Sequence, residues 1–449
     1  MNSHSAELRS VGMSAGESAK KAALLDKLLE KLKQLRGGNF DSSCEFFIPG
    51  RIEFLGKHTD YAGGRSVTCA VERGICLVAA PRSDSQVHMV DVGRQSEVRF
   101  TLDGNLELFR DDWPKYAVTV ARRLARDFPA ARTGADIVFA SDLPRASGMS
   151  SSSALIIAIF FALAEVNSLW RSEVYRRQIR SREDLAGYLS AVESGKDFAS
   201  FSGARGVGTL GGSEDQVAIL CSRSRFLRQY SYCPIRLEME VAVPANYVFA
   251  IGVSGVKADK TGNARESYNR ISLATREILD EWRRATGRED ASLASALASK
   301  PDAASRLQGV IRHSSDPRFS PQLLLNRLAQ FAEESNSLVP AAMNVFSSGE
   351  LNDLGGLVDR SQLMAETLLG NQTPETIELA RSARALGAIA ASSFGAGFGG
   401  SVWALIHSSS AEDFREAWAA SYHRAFPERA ESSQFLITGA GPGLIQFEA

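Results

Sequence analysis

Between Pro49 and Gly64 the sequence reads PGRIEFLGKHTDYAGG, which sets Arg51, Lys57, His58, Asp60 and Tyr61 among glycines directly after an apolar run. A packed core has no use for so dense a polar set, so these residues are candidates for holding a polar ligand. A second candidate is LPRASGMSSSSALIIAIFF, Leu143 to Phe161, where a loop of small residues opens into an almost wholly apolar stretch. Backbone N–H groups at a helix N-terminus, together with the helix dipole, attract an anion. The serines add hydroxyl donors, and a serine hydroxyl can also ligate Mg2+. The stretch is not a Walker loop, since GxxxxGK[ST] is absent, and the competing reading is an ordinary serine-capped helix. A third stretch, GGSEDQVAIL from Gly211 to Leu220, puts Glu214 and Asp215 before an apolar run, where simple capping is the alternative to chemistry. A fourth, SSFGAGFGGSVWAL from Ser392 to Leu405, is a glycine-rich turn. It lets backbone approach a ligand closely, or simply turns between strands.

The elements that must position these residues mix strand and helix. Leu25, Leu28, Leu29, Leu32 and Leu35 fall at helical spacing and Gly37–Gly38 stop the helix, so residues 1–40 read as an N-terminal extension with one helix packed on the domain surface. From Glu45 to about Val98 the pattern is strand-like. DDWPKYAVTVARRLARDF reads as a helix, GADIVFASDLP as a strand, and ALIIAIFFALAEV as a helix apolar all round and therefore buried. Residues 183–193 are helical and lead into a Gly/Ser-rich loop, SGKDFASFSGARGVGTLGGS, that ends at Ser213. The basic, turn-prone CSRSRFLRQYSYCPIR marks the expected domain boundary near residue 235, separating lobes 41–235 and 236–449. Beyond it come the strand YVFAIGVSG, a helix over 263–286, a mostly helical region from 290 to 390, and a strand–turn–strand in IAASSFGAGFGGSVWALI. Such a mixture predicts an α+β fold in two lobes.

Composition bounds the partners. The 449 residues suffice for two or three domains, and 44% hydrophobic content excludes a disordered chain. Lys+Arg at 51 against Asp+Glu at 52 gives a net charge of −1, which makes no case for nucleic acid or an anionic membrane. Anion binding must then be local. The odd number of cysteines, five without CxxC spacing, points to buried, reduced cysteine in a cytoplasmic protein rather than a disulfide framework. Six scattered histidines argue against zinc. No apolar run of about 18 residues predicts a membrane span, and the N-terminus has no apolar core of the kind a signal peptide carries.

In order along the chain, GRIEFLGKHTDY, PRASGMSSSSA, GGSEDQ, SGVKADKTGNARESYN and FGAGFGG resemble the motifs of the GHMP-superfamily sugar kinases, and among them those of the galactokinases. Gly50 to Gly63 is similar to the family's GRxNLIGEHTDYNxG signature, Pro144 to Ala154 to its PxxxGLSSSA phosphate loop, and Gly212 to Gln216 to its GIMDQ segment. Ser254 to Arg270 resembles SxVKxxLxxSEYxxRR, and Gly395 to Gly400 resembles GGGFGG. The resemblance runs from about residue 44 to the C-terminus. It implies the two-lobe GHMP kinase fold, with a ribosomal-S5-like N-terminal lobe, a ferredoxin-like C-terminal lobe and ATP between them.

The resemblance also implies roles. Asp215 would act on the sugar's anomeric hydroxyl, with Arg51 beside it favouring the ionised carboxylate. Ser147, Gly148, Met149, Ser150, Ser151, Ser152 and Ser153 would wrap the ATP phosphates, and Ser152 and Glu193 would ligate Mg2+. Glu193 precedes Asp215 by 22 positions, more than in the family, the extra residues being KDFASFSGARGVGTL. Asp60 would take two sugar hydroxyls, at C3 and C4, with Gly212 and Tyr268 lining the sugar pocket. His58 would bind substrate or serve as a local hydrogen-bonder.

Two departures from the family matter. Lys57 replaces the glutamate that binds the sugar's C6 hydroxyl, and an ammonium only donates where a carboxylate accepts. Lys57 either meets a C6 carboxylate, or it turns outward or pairs with an acid of the protein. Gln362 stands where the family has histidine, within DRSQLMAETLLGNQTPETIEL. The expected function is an ATP-dependent sugar 1-kinase with galactose as default substrate, and galacturonate or another C6-modified sugar as the alternative. A non-catalytic galactokinase-like sugar sensor is a different class, disfavoured by the full GMSSSSA run, as a kinase of a non-sugar alcohol is by HTDY. Sugar and ATP are the expected partners, with no nucleic acid or membrane, for a monomer or weak dimer.

Overall fold

The computed structural model describes residues 3–38, 42–107, 113–145, 147–256 and 262–448. Its strands are β1 (Cys44–Leu55), β2 (Arg65–Pro81), β3 (Gln86–Asp91), β4 (Ser96–Thr101), β5 (Ala135–Ser141), β6 (Phe226–Ser231), β7 (Arg236–Ala242), β8 (Tyr247–Val253), β9 (Ala390–Phe394), β10 (Ser401–His407), β11 (Gln434–Thr438), β12 (Ala440–Gly441) and β13 (Ile445–Gln446). The helices of the first half are α1 (Ser3–Ser10), α2 (Ala15–Arg36), α3 (Pro114–Asp127), α4 (Ser151–Val166), α5 (Glu173–Gln178), α6 (Arg182–Ser194) and α7 (Glu214–Cys221). Those of the second half are α8 (Gly262–Thr286), α9 (Leu293–Ala298), α10 (Ala303–Arg312), α11 (Pro321–Glu333), α12 (Val339–Ser348), α13 (Leu354–Met364), α14 (Pro374–Ala385) and α15 (Ala411–Ala425).

A nine-stranded sheet runs β13–β1–β2–β5–β3–β4, with β6, β7 and β12 attached through β2. Its central strands are apolar on both faces, as strands covered on both sides must be. Phe46 and Leu77 pack in one cluster with Ile156 and Phe160 of α4, while their neighbours Phe47 and Val78 pack with Leu25, Leu28 and Leu32 of α2. The period-2 alternation of a strand thus feeds two cores. The N-terminal extension holds two helices rather than one. Leu8 is the only buried residue of α1, so its stripe was too thin to read. Gly37, left-handed at φ 71°, ends α2.

The basic segment around residues 221–236 is not a linker. It forms β6, paired to both β2 and β7, and Arg223 and Arg228 pair with Glu240 across the hairpin. Position 235 falls in the hairpin's turn, and β7 carries the first sheet on to Ala242. Strands β12 and β13 return the C-terminus to that sheet.

The second sheet is four-stranded, in the order β11–β8–β10–β9. Leu379 of α14 and Trp418 of α15 fill one face. Phe54 of β1 reaches the other and stacks on Trp403 at 4.3 Å, which locks the two sheets together. Helices α8 to α11 gather around Trp282, against Ala62 and Tyr61.

All five cysteines are free; Cys69, Cys76 and Cys221 are buried, whereas Cys44 is half-buried and Cys233 exposed, so burial is less general than expected. Among the described residues no helix is long and apolar enough to cross a membrane.

Candidate active site

A β-bulge aims the first functional side chains. The β1–β2 register slips between Pro49 and Arg51, where proline has no N–H for the ladder. Beyond the slip Ile52 and Phe54 enter the core, and Arg51 and Glu53, on the opposite strand face, line a cleft. The cleft is completed by His58, Asp60 and Tyr61, by Glu193 of α6, by Gly212, Glu214, Asp215 and Gln216, by Tyr268 of α8 and by Gly395 and Ala396.

Its centre is an ion pair. Arg51 Nε donates to Asp215 Oδ1 at 2.9 Å, with Nη2 at 2.8 Å from the same oxygen. The guanidinium also donates to the Gly148 carbonyl and lies 5.8 Å over the Phe394 ring. Burial works to lower the Arg51 pKa, but Asp215, Glu214 and Glu53 together leave it raised, so this cation does not titrate. Asp215 sits in the first turn of α7, where the helix dipole favours a negative charge.

The serine brought to the carboxylates is Ser153, not Ser152. Its hydroxyl donates to Glu193 Oε2 at 2.8 Å and lies 3.3 Å from Asp215 Oδ2. Successive helix residues point about 100° apart, and α4 begins at Ser151, so only one of two adjacent serines can meet a given acid. Gln216 Nε2 fixes Glu193 Oε2 from the other side at 2.7 Å. The long insertion before Asp215 does not remove Glu193 from the cleft. It folds back, with Val207 N–H on the Glu193 carbonyl at 2.9 Å and Leu210 N–H on Asn269 at 2.9 Å, and delivers Thr209 to the cleft wall.

Asp60 is buried, held by the N–H groups of Tyr61 at 2.7 Å and Glu214 at 3.1 Å. Desolvation raises its pKa. Gly212 faces it closely: a Cβ there would sit 2.3 Å from Asp60 Oδ2, so any side chain would displace the carboxylate. The Tyr268 ring lies 5.3 Å from that of His58. His58 uses both ring nitrogens internally, Nε2 toward the Ala396 carbonyl at 3.1 Å and Nδ1 toward the Tyr61 hydroxyl at 3.0 Å. A carbonyl only accepts, so Nε2 carries a proton.

The serine loop presses on the glycine turn of the second lobe. The Ser147 carbonyl accepts from Ser401 at 2.6 Å, and a Cβ on Gly395, left-handed at φ 80°, would lie 2.7 Å from the Gly148 carbonyl. Within the loop, Ser147 Oγ donates to Pro144 and Met149 is buried in the core. Ser150 Oγ, buried at the N-terminus of α4, has no hydrogen-bond partner among the described residues. Ser151 and Ser152 are half-exposed in the first turn.

Lys57 is not in the cleft. It is 2% exposed, and its Nζ donates to Ser361 at 2.9 Å and to Ser392 at 2.7 Å. Ser361 in turn donates to Glu334 Oε1 at 2.9 Å, and Ser392 to Gln362 Oε1 at 3.0 Å. Lys57 and Gln362, both departures from the family motifs, therefore meet through one serine. This corrects the expectation that Lys57 faces a sugar. The residues that sequence reasoning passed over are Glu53, Ser190 and Thr209. Strand periodicity from Arg51 flags Glu53, and helical spacing from Glu193 flags Ser190, whose hydroxyl holds the Gly212 carbonyl at 2.7 Å. Part of the SGVKADKTG motif, residues 257–261, lies outside the described residues.

Comparison with known proteins follows this geometry. The family model for the GHMP kinases N terminal domain matches residues 115–204, that for the galactokinase galactose-binding signature 38–81, and that for the GHMP kinases C terminal 341–424. The chain belongs to the GHMP kinase superfamily. It is 27% identical to a galactokinase of Chloroflexus aggregans over 88% of this chain and 91% of that one. It is also 27% identical to a galactokinase of Exiguobacterium sibiricum, over 95% and 99%. The fold matches that of the Lactococcus lactis galactokinase complexed with galactose, with a TM-score of 0.77 and 23% identity over 94% of this chain and all of the other. This GHMP kinase is a galactokinase-like phosphotransferase acting on a sugar hydroxyl.

Proposed function

We propose that the protein is an ATP-dependent sugar 1-kinase that converts galactose and ATP to galactose 1-phosphate and ADP. The observation that carries this reading is the Arg51–Asp215 pair, open to a cleft whose other wall is Asp60. In this reading Asp215 orients the anomeric hydroxyl and accepts its proton, and Arg51 keeps the carboxylate charged between turnovers. Asp60 reads a pair of neighbouring sugar hydroxyls, and Tyr268 and Gly212 shape the pocket around them. The first turn of α4, with the unpartnered Ser150 hydroxyl, offers the donors that nucleotide phosphates require. Phosphoryl transfer asks mainly for such positioning and charge neutralisation.

The hard oxygens of Glu193 and Ser153 suit Mg2+, which takes few protein ligands and fills its shell with water and phosphate oxygens. Bound there, the ion would neutralise charge on the phosphates. Among the described residues no larger group of acids, histidines and cysteines competes for it.

Galactose is favoured over galacturonate because the feature that suggested a uronate is spent elsewhere: Lys57 points its ammonium at Ser361 and Ser392. The test is ADP release with Mg-ATP across galactose, glucose, galacturonate and the non-sugar alcohol mevalonate. Galactose should give the highest kcat/KM by at least about tenfold. A higher value with galacturonate would reverse the substrate assignment.

A further inference from the structure

The carboxylate that the family signature carries at position 57 has a counterpart four residues earlier in this chain. Glu53 stands at the signature's asparagine, and Lys57 at its glutamate. Glu53 is 5% exposed yet lines the cleft, on the same strand face as Arg51. Its Oε2 accepts the Gly395 N–H at 3.1 Å, and its Oε1 is buried with no hydrogen-bond partner among the described residues. A buried carboxylate oxygen without a donor is costly. Burial disfavours its ionised form and leaves its pKa raised, the nearby cations Arg51 and then Lys57 offsetting this only in part, while both direct their own N–H groups elsewhere: Arg51 to Asp215 and Gly148, Lys57 to the two serines. What the site lacks is an O–H or N–H arriving from the cleft.

We propose that Glu53 is a specificity-determining residue whose Oε1 accepts a hydrogen bond from one hydroxyl of the bound sugar, with Lys57 as its buried counter-charge. The proposal rests on the sugar-kinase reading of the cleft. It accounts for both signature positions that differ here: an acceptor placed beside Asp60 and Asp215 concentrates negative charge, and a buried cation offsets it. Charge-assisted hydrogen bonds of this kind discriminate strongly against a ligand that lacks the donor.

The test is steady-state kinetics at pH 8 with galactose and its 2-, 3-, 4- and 6-deoxy analogues, for wild type and Glu53→Gln. The substitution keeps shape and removes charge. It should lower kcat/KM for galactose about tenfold or more, mainly through KM. On one deoxy sugar, the one without the donating hydroxyl, the two proteins should agree within about twofold. An equal loss on every sugar, or no loss on galactose, overturns the proposal. Should Glu53→Gln fail to fold, the double variant Glu53→Gln/Lys57→Met removes both charges together and is read in the same way. Should wild type phosphorylate no sugar, the kinase reading fails separately. Calorimetric titration with galactose then still decides on Glu53, since equal affinity in wild type and variant overturns its role.

Discussion

One segment, Pro49 to Gly64, supplies two polar clusters of opposite character. Arg51, Glu53 and Asp60 open onto the cleft with Asp215 and Glu193, whereas Lys57, between them in sequence, is sealed under α13 and β9 with Ser361, Ser392, Gln362 and Glu334. The cleft cluster keeps unspent capacity, in Glu53 Oε1, Gln216 Oε1 and Ser150 Oγ at its edge. In the sealed cluster the Lys57 and Gln362 groups are matched and Glu334 Oε2 alone is left over. A cluster built to meet a ligand leaves acceptors and donors waiting, and a cluster built to hold lobes together uses them up.

The largest effect should come from the cleft. Asp215→Ala is expected to lower kcat by about 10³-fold or more, within the usual reach of a lost acid–base group. A variant retaining more than about a tenth of the activity would put the chemistry elsewhere.

Next comes the sealed cluster, where the comparison predicts the reverse pattern. Lys57→Met should cost about 3 kcal/mol of stability, because it leaves the Ser361 and Ser392 hydroxyls without their buried donor and takes away one of the two cations beside Glu53. In whatever fraction folds, kcat should change less than about threefold. Chemical denaturation beside active-site titration separates the two. Ser392→Ala is milder: it removes one Lys57 acceptor and the Gln362 contact, and about 1–2 kcal/mol should be lost in urea midpoints.

The smallest expected effect is a pH dependence. Desolvation pushes Glu53 up to about 7 from an ordinary 4.5, and raises Asp60 and, further, Glu214. A carboxyl whose folded pKa is raised binds its proton more tightly in the native state. Its contribution to stability is therefore complete below pH 4.5 and is lost as pH rises through 7. Relative to Glu53→Gln, wild type should lose about 1 kcal/mol or more between pH 5 and pH 7, then change little. A gap that narrows over that interval would mean Glu53 is stabilised as the anion throughout.

These contrasts mark what the sequence could convey. Strong local patterns were legible: the all-apolar α4, the helix stopped by Gly37 and the strand–turn–strand at the second glycine run. The thin apolar face of α1 and strand β6, set in a basic segment, were not, because their partners, Glu240 above all, lie on other strands. The cleft's membership was readable through resemblance, since a motif fixes where a backbone goes. Side-chain direction was harder. Ser153 faces the acids by helix phase, one residue on from Ser152. Lys57 turns away because Ser361 and Ser392 wait for it about 300 residues later in the chain, and no local pattern encodes such a meeting.

The central claim is transfer to the anomeric hydroxyl by the Arg51–Asp215 cleft. Phosphorus NMR of the product formed from galactose and Mg-ATP tests it directly. The account predicts a phosphomonoester coupled to the anomeric proton, formed by wild type and absent with Asp215→Ala. A phosphate on C6, or the same product from both proteins, would contradict it.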